Sequence, residues 1–205
     1  MNEGEPMELR LELVMRQRLG SAADASSQLA QSTNTNRKGS STMTSNVQEH
    51  TTAITTPSDT EIRIERLFDA PRELIWEAYT DPELMAEWLG PRDGSISVET
   101  MDVRPGGKYR YTHCSSAGDE YHFSGEYREV EAPRLLVATF QFEGIDSVSI
   151  DRLELEELDG GRTRLVATST FDSKEERDGM LQSGMEKGVN EGYDKLDAQL
   201  ARRQK

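Results

Sequence analysis

Aromatic side chains and a histidine alternate along two neighbouring segments of the chain, in a pattern that could form the wall of a binding site. Tyr109, Tyr111 and His113 occupy alternate positions on one segment, and Phe123 and Tyr127 belong to one face of the next. Alternate residues of a β-strand share a face, so each set projects to one side of its strand. These faces either pack in the core or contact a ligand. A buried tyrosine hydroxyl needs a hydrogen-bond partner, which favours a polar ligand or a water molecule nearby.

Three glycines follow one another at four-residue intervals near the end of the chain, at Gly184, Gly188 and Gly192. Each glycine costs a helix about 1 kcal/mol relative to alanine, so three in one line require a reason. Either the sheet approaches the helix backbone closely, or the glycines leave room for a cavity. Met185 belongs to the apolar stripe that these glycines flank. We therefore take Gly184, Met185 and Gly188 as candidate ligand-binding residues, together with the aromatic face.

No combination of side chains in the sequence indicates a nucleophile, a metal centre or a phosphate-binding loop. His113 and Cys114 are adjacent, so a strand directs them to opposite faces and they cannot act as a catalytic pair. His122 is expected to face away from His113, because its neighbour Phe123 is expected to face inward. We predict no catalytic residue, no metal site and no cofactor.

Two short helices are predicted between the first strand and the later ones. The first spans residues 71–79, and the second follows an Asp81 cap, begins at Pro82 and is stopped by Gly90 and Pro91. Trp88, near the end of the second helix, either packs both helices against the mouth of the sheet or gates a cavity. We include it among the candidate ligand-binding residues.

A series of strands separated by turns is predicted, with short connections between all but the first two. Short connections imply antiparallel neighbours, so these strands form a meander. A long helix follows over residues 174–201, begun by a capping box at Ser173 and Glu176. Its apolar stripe must cover one face of the sheet, so we predict an α+β fold in which the sheet curls around this helix. The seven strands are predicted near residues 61–68, 95–103, 107–114, 120–130, 134–142, 147–157 and 162–171.

The N-terminal part of the chain differs in composition from the rest. Ser, Thr, Asn, Gln and Ala dominate residues 20–60, and large apolar side chains are scarce there. Such a segment buries too little apolar surface to offset the entropy lost on ordering. We predict a disordered extension over residues 1–57 and one folded domain over residues 58–205.

The net charge of −14 limits the classes of partner. An acidic surface repels nucleic acid and anionic membranes, and no apolar run approaches the ~18 residues of a membrane span. The single cysteine, Cys114, fits a reducing compartment. We expect a cytoplasmic protein of bacterial type that neither binds nucleic acid nor inserts into a membrane.

Several segments of the domain resemble a known protein family. They are FDAPRELIWEAYTDPELMAEWLGP from Phe68 to Pro91, VRPGGKYRY from Val103 to Tyr111, GEYREVEAPRLLVATF in the middle strands, and SGMEKG from Ser183 to Gly188. In amino-acid sequence and in order along the chain, they are similar to the activator of heat-shock protein 90 ATPase homologue-like branch of the START-like (SRPBCC) superfamily, over residues 60–202.

This resemblance implies a helix-grip fold, in which a curved sheet grips the C-terminal helix and leaves a cavity between them. Relatives in the superfamily bind lipids, hormones or polyketides, and some catalyse cyclisation or hydrolysis. The eukaryotic namesake stimulates a chaperone's ATPase, and only its C-terminal domain has an equivalent here. We expect non-enzymatic binding of a small hydrophobic or amphipathic molecule. The alternatives are an accessory factor that binds a chaperone or another protein, and a cyclase or hydrolase on the same fold.

Overall fold

The computed structural model describes residues 51–205, which form one curved antiparallel sheet and four helices. No helix in this range has the length and apolar composition of a membrane span. The helices are α1 Arg72–Thr80, α2 Pro82–Trp88, α3 Lys174–Gln182 and α4 Met185–Arg203. The strands are β1 Ala53–Thr55, β2 Glu61–Phe68, β3 Gly94–Met101, β4 Lys108–Ser115, β5 Glu120–Glu131, β6 Leu135–Phe142, β7 Val148–Leu158 and β8 Arg162–Thr170.

The eight strands are hydrogen-bonded in the order β1-β2-β8-β7-β6-β5-β4-β3. From β3 to β8, each strand pairs with the next one along the chain, which confirms the predicted meander. The long-range pairing joins β2 to β8, with Glu61 opposite Thr170 and Phe68 opposite Thr163. With α4 across the inner face of the sheet, this is the predicted α+β helix-grip fold.

The core lies between the inner face of the sheet and α4. Burial alternates strictly along β2, so that Ile64 and Phe68 face inward and are buried. Leu196 and Leu200, which belong to the apolar stripe predicted for the last helix, are also buried. The ring of Phe68 meets Tyr193 of α4 edge-on, with ring centroids 5.6 Å apart. The alternating apolar residues of the strand and the helically spaced apolar residues of α4 therefore pack together in one apolar layer.

The sheet begins earlier in the chain than predicted. Most of the predicted extension, residues 1–50, lies outside the described residues, but its described end forms the strand β1. This strand pairs with β2, with Ala53 opposite Glu65 and Thr55 opposite Arg63. The segment TTAIT is rich in β-branched residues, which favour strands. The sheet therefore has eight strands, one more than predicted.

The helix predicted over residues 174–201 is divided at Ser183 and Gly184. Gly184 has a φ of +76°, a left-handed backbone conformation that glycine adopts at little cost. The amide of Ser183 donates to the carbonyl oxygens of Gly179 and Met180 over 3.1 and 3.3 Å, which closes α3. The helical conformation resumes at Met185 and continues as α4.

Caps fix the starts of two helices where the sequence predicted them. The side chain of Asp81 accepts from the amides of Glu83 and Leu84 over 2.9 and 3.1 Å, at the start of α2. The Ser173 hydroxyl accepts from the Glu176 amide over 3.2 Å, at the start of α3. These bonds satisfy amides that have no partner within the helix.

Candidate ligand-binding site

A cavity of about 380 Å³ lies between the inner face of the sheet and the helices. Small-molecule sites in proteins are usually mostly apolar concavities of about 300 to 1,000 Å³. On the sheet side, the lining includes Tyr109, Tyr111, His113, Phe123, Tyr127 and Phe140. On the helix side, it includes Trp88, Met180, Met185, Gly188, Val189 and Gly192.

Stacked aromatic rings form the sheet wall of the cavity. The ring centroid of Phe123 lies 5.0 Å from that of Tyr111 and 5.6 Å from that of Phe140, and both pairs are stacked. Tyr109 stacks on Tyr111 at 6.3 Å and meets Tyr127 at 5.3 Å in a tilted arrangement. Rings at these separations attract one another and present a continuous apolar surface. The two predicted aromatic faces thus form one wall.

Tyr109 reaches across its neighbouring strand because that strand carries glycine at the crossing point. Tyr109 and Gly125 are directly opposite each other on β4 and β5. The Tyr109 hydroxyl donates to the carbonyl oxygen of Thr139 on β6 over 2.7 Å. A Cβ atom on Gly125 would lie 1.9 Å from that same carbonyl oxygen and 2.7 Å from the Tyr109 ring. Glycine is therefore required for this arrangement.

The tyrosines of the cavity are held in their neutral form. Burial raises the pKa of Tyr127 and of Tyr193 to about 12. Burial also raises the pKa of Tyr109, with smaller contributions from Tyr111 and from the negative charge of Asp151. Neutral phenols at ordinary pH exchange hydrogen bonds with a bound molecule and do not act as bases.

The glycines of α4 serve different purposes. Gly188 lines the cavity, as does its neighbour Met185. Gly192 also lines the cavity, and a Cβ atom there would lie 3.3 Å from the carbonyl oxygen of Trp88. The close approach at Gly192 is thus to the end of α2 and not to the sheet. Gly184 is not among the described residues that line the cavity, and its left-handed conformation separates α3 from α4.

Trp88 is held firmly at the helix end of the cavity. Its indole Nε1–H donates to the carbonyl oxygen of Ala78 over 2.9 Å, which ties the end of α2 to α1. Its ring packs against Tyr79 and Tyr193 with centroid distances of 4.7 and 6.3 Å. These contacts favour the packing interpretation of Trp88 over the gating one.

The two histidines of the sheet face opposite ways. His113 lines the cavity and stacks on Tyr121, with ring centroids 6.0 Å apart. A Cβ atom on Gly94 would lie 2.2 Å from Nε2 of His113, so β3 covers this ring closely. His122 lies on the outer face, where its Nδ1 is 2.8 Å from the Thr112 hydroxyl. Within residues 51–205, no cluster of three His, Cys, Asp or Glu side chains could hold a metal ion.

Sequence reasoning missed the polar residues of the cavity. Ser149 and Asp151 line it, alongside the aromatic wall. The signal was present, because Asp151 has the same parity along β7 as the buried Leu153 and Leu155. Alternation alone would have placed the carboxylate on the inner face.

Solved structures of bacterial proteins are similar to this chain. The solution NMR structure of a protein from Arthrobacter aurescens is 28% identical and covers 73% of this chain and 91% of its own, with a TM-score of 0.68. A Rhodobacter sphaeroides protein is 26% identical, with coverages of 74% and 99% and a TM-score of 0.68. For a Mycobacterium smegmatis protein the identity is 28%, the coverages are 72% and 95%, and the TM-score is 0.66. No curated protein matches the chain.

A family model extends this likeness to most of the domain. The model, described as Activator of Hsp90 ATPase homolog 1-like protein, matches residues 69–201. The matched range contains α1, α2, the strands β3 to β8 and most of α4, and so nearly all of the cavity wall. The chain belongs to the family of Activator of Hsp90 ATPase homolog 1-like proteins.

Proposed function

We propose that this protein binds a small hydrophobic or amphipathic molecule in the cavity between the sheet and α4, without catalysing a reaction. The observation that carries the proposal is the cavity itself, with about 380 Å³ of space beside a wall of stacked rings. Protein interiors are normally close-packed, and unfilled apolar space costs stability. A molecule that fills this space recovers the lost contacts and buries its own apolar surface.

The chemistry of the lining supports binding in preference to catalysis. Its tyrosines are neutral at ordinary pH, and burial raises their pKa values still further from neutrality. The hydroxyl of Tyr109 is already engaged with a backbone carbonyl. Such groups orient a bound molecule and do not transfer protons at neutral pH.

Binding of an uncharged apolar probe, naphthalene, tests the proposal. We expect saturable binding near one molecule per chain, followed by fluorescence and by native mass spectrometry. Ala167→Phe places a ring into the cavity from β8 and should weaken binding at least about tenfold. Val166→Phe is the matched control, because Val166 lies on the other face of the same strand, beside Glu65 of β2.

A second variant fills the cavity from the helix side. Gly188→Leu introduces a side chain from α4 and should also weaken naphthalene binding while leaving the chain folded. Absence of naphthalene binding to the parent chain overturns the proposal. Equal binding by the parent, Ala167→Phe and Gly188→Leu, with all three folded by circular dichroism, overturns the assignment to this cavity.

The family suggests a second function, in which the protein is an accessory factor that binds a chaperone. The observation that favours it is the match to a family described by its likeness to an activator of the Hsp90 ATPase. Its test is the ATPase rate of a purified Hsp90-type chaperone with and without this protein. An unchanged rate at saturating protein excludes this alternative for that chaperone.

A further inference from the structure

Two tyrosine hydroxyls meet at the helix side of the cavity. Tyr79 of α1 and Tyr193 of α4 both line the cavity, and their hydroxyl oxygens lie 3.4 Å apart. Tyr193 is buried and Tyr79 is half-buried. Both phenols keep their protons at ordinary pH, and burial raises their pKa values still further from neutrality. The pair therefore contains two hydroxyl protons.

The two hydroxyls do not satisfy each other. Each phenol has one proton to donate and lone pairs that accept. Hydrogen bonds between hydroxyl groups are usually about 2.5 to 3.0 Å long, so the bond over 3.4 Å is weak. This bond uses one of the two protons, and within residues 51–205 neither hydroxyl has another hydrogen-bond partner. One donor therefore remains for a bound molecule.

The remaining donor is the hydroxyl of Tyr193. Tyr79 donates to the Tyr193 oxygen, so the proton of Tyr193 is directed elsewhere. Burial has the largest effect on the pKa of Tyr193 and raises it, while the bond from Tyr79 and the positive charge of Arg66 lower it. The guanidinium carbon of Arg66 lies 5.8 Å from the centre of the Tyr193 ring. Both neighbours favour negative charge on the Tyr193 oxygen and so make its O–H a stronger donor.

The surroundings of the pair restrict the group that it can bind. The indole of Trp88 packs against both tyrosine rings, and Phe68 meets the ring of Tyr193 edge-on. Among the described residues, Arg66 does not line the cavity, and its guanidinium is engaged by Asp194 and Asp197. A charged group in apolar surroundings is costly unless several groups compensate it, which one hydroxyl donor cannot do. The pair therefore suits an uncharged acceptor.

We propose that Tyr193, supported by Tyr79, donates a hydrogen bond to an uncharged carbonyl oxygen of the ligand, so that the cavity selects apolar molecules with a ketone or ester group. This inference rests on the proposed binding function of the cavity. The carbonyl oxygen supplies the acceptor for the Tyr193 hydroxyl, and the apolar body packs on the aromatic wall. A hydrocarbon of the same shape leaves the buried hydroxyl without an acceptor, which is unfavourable.

Two probes of the same shape test the inference on the unmodified chain. They are 2-acetylnaphthalene and 2-isopropenylnaphthalene, in which a CH₂ group replaces the carbonyl oxygen. A hydrogen bond to a carbonyl lowers its infrared stretching frequency, so bound 2-acetylnaphthalene should absorb at a lower frequency than it does in hexane. If the probes bind but the frequency equals that in hexane, the carbonyl inference is overturned and the binding function stands. If neither naphthalene nor either probe binds, the binding function itself fails.

Substitutions then assign the hydrogen bond to Tyr193. Tyr193→Phe removes the donor and should return the carbonyl frequency toward its value in hexane. Competition against bound naphthalene should show that it weakens 2-acetylnaphthalene at least about fivefold relative to 2-isopropenylnaphthalene. Tyr79→Phe removes the supporting bond and should change the same affinity ratio in the same direction, by less.

A third tyrosine provides the matched control. Tyr121 of β5 is buried but is not among the described residues that line the cavity. Tyr121→Phe should therefore leave the carbonyl frequency and the affinity ratio as they are in the parent chain. An equal ratio in the parent and in folded Tyr193→Phe overturns the proposal. If Tyr193→Phe does not fold, an unchanged ratio in Tyr79→Phe overturns it instead.

Discussion

The guanidinium of Arg66 donates a hydrogen bond to Oδ1 of Asp194 over 3.0 Å, and this pair joins the second strand to the C-terminal helix. The same guanidinium also bonds to Asp197 of that helix, and the hydroxyl of Thr52 accepts a further bond from it at 3.1 Å. The Arg66 side chain is only 3% exposed. One buried cation therefore connects α4, β2 and the residue that precedes β1.

Removing this buried cation should destabilise the fold strongly. Arg66→Ala removes the common partner of Asp194 and Asp197, whose side chains are 53% and 25% exposed, and loss of a hydrogen bond between charged groups costs about 1.5 to 3 kcal/mol. Arg164→Ala is the control, because Arg164 pairs with Glu65 and Glu156 at a site where its side chain is 44% exposed. Exposed pairs contribute about 1 kcal/mol or less. Urea unfolding measures both, and comparable losses for the two variants would contradict this account of Arg66.

Shortening the chain should show that only the last residues of the predicted extension contribute to stability. A chain that begins at Thr56 lacks β1 and the Thr52 hydroxyl, and should be about 1 to 3 kcal/mol less stable than one that begins at Thr51. The full-length chain and the chain from Thr51 should unfold alike, which is the remaining prediction for residues 1–50. Thermal and urea unfolding of the three chains test both statements. Equal stability of the two shortened chains would show that β1 contributes nothing.

The two glycines Gly184 and Gly179 should respond to alanine with opposite signs. Gly184→Ala forces a Cβ atom into the left-handed conformation at a φ of +76° and should cost about 1 to 2 kcal/mol. Gly179→Ala lies within α3, where alanine is favoured over glycine by up to about 1 kcal/mol. Urea unfolding of both variants measures the difference. Stabilisation by Gly184→Ala would mean that α3 and α4 form one continuous helix.

Stability should fall at alkaline pH because the cavity holds neutral tyrosines. Burial raises the pKa of Tyr127 from 10.0 to about 12, so the unfolded chain loses this proton at a lower pH than the folded chain does. The contribution is fully present below pH about 10 and is lost as the pH rises toward about 12. Tyr127→Phe removes this titration, and its free energy of unfolding should fall less across that window, by up to about 3 kcal/mol. Urea unfolding at a series of pH values provides the test, and parallel curves for variant and parent would assign the alkaline loss to other groups.

Local patterns were sufficient for most of the helices and strands and for most of the cavity wall. Alternation placed Tyr109, Tyr111 and Phe123 inward, since it depends only on strand geometry. The purpose of Gly184 could not be read locally, because glycine occurs both within helices and at left-handed positions that end them. Their four-residue spacing alone could not show that Gly184 and Gly188 have different roles.

Long-range partners explain the remaining differences. Arg66 shares the inward parity of Ile62 and Ile64, but its burial depends on carboxylates more than a hundred residues later in the chain. The strand β1 likewise exists only through its pairing with β2. The size of the cavity depends on how far α4 stands from the sheet, which no local pattern encodes. The inward position of Asp151 was visible in the sequence, because it alternates with Leu153, but the sequence analysis did not consider this residue.

The pairing of β2 with β8 has a consequence for synthesis on the ribosome. The first long strand to emerge has its partner in residues 163–170 and its packing partner in α4, so it stays unpaired on that side until nearly the whole domain has been made. The strands β3 to β7 pair with their immediate neighbours and can form hairpins in the order of their synthesis. Contacts between distant parts of a chain slow folding, and unpaired strand edges expose it to aggregation. The pairing of β2 with β8 is therefore a late step, and a nascent chain is most exposed to aggregation before it occurs.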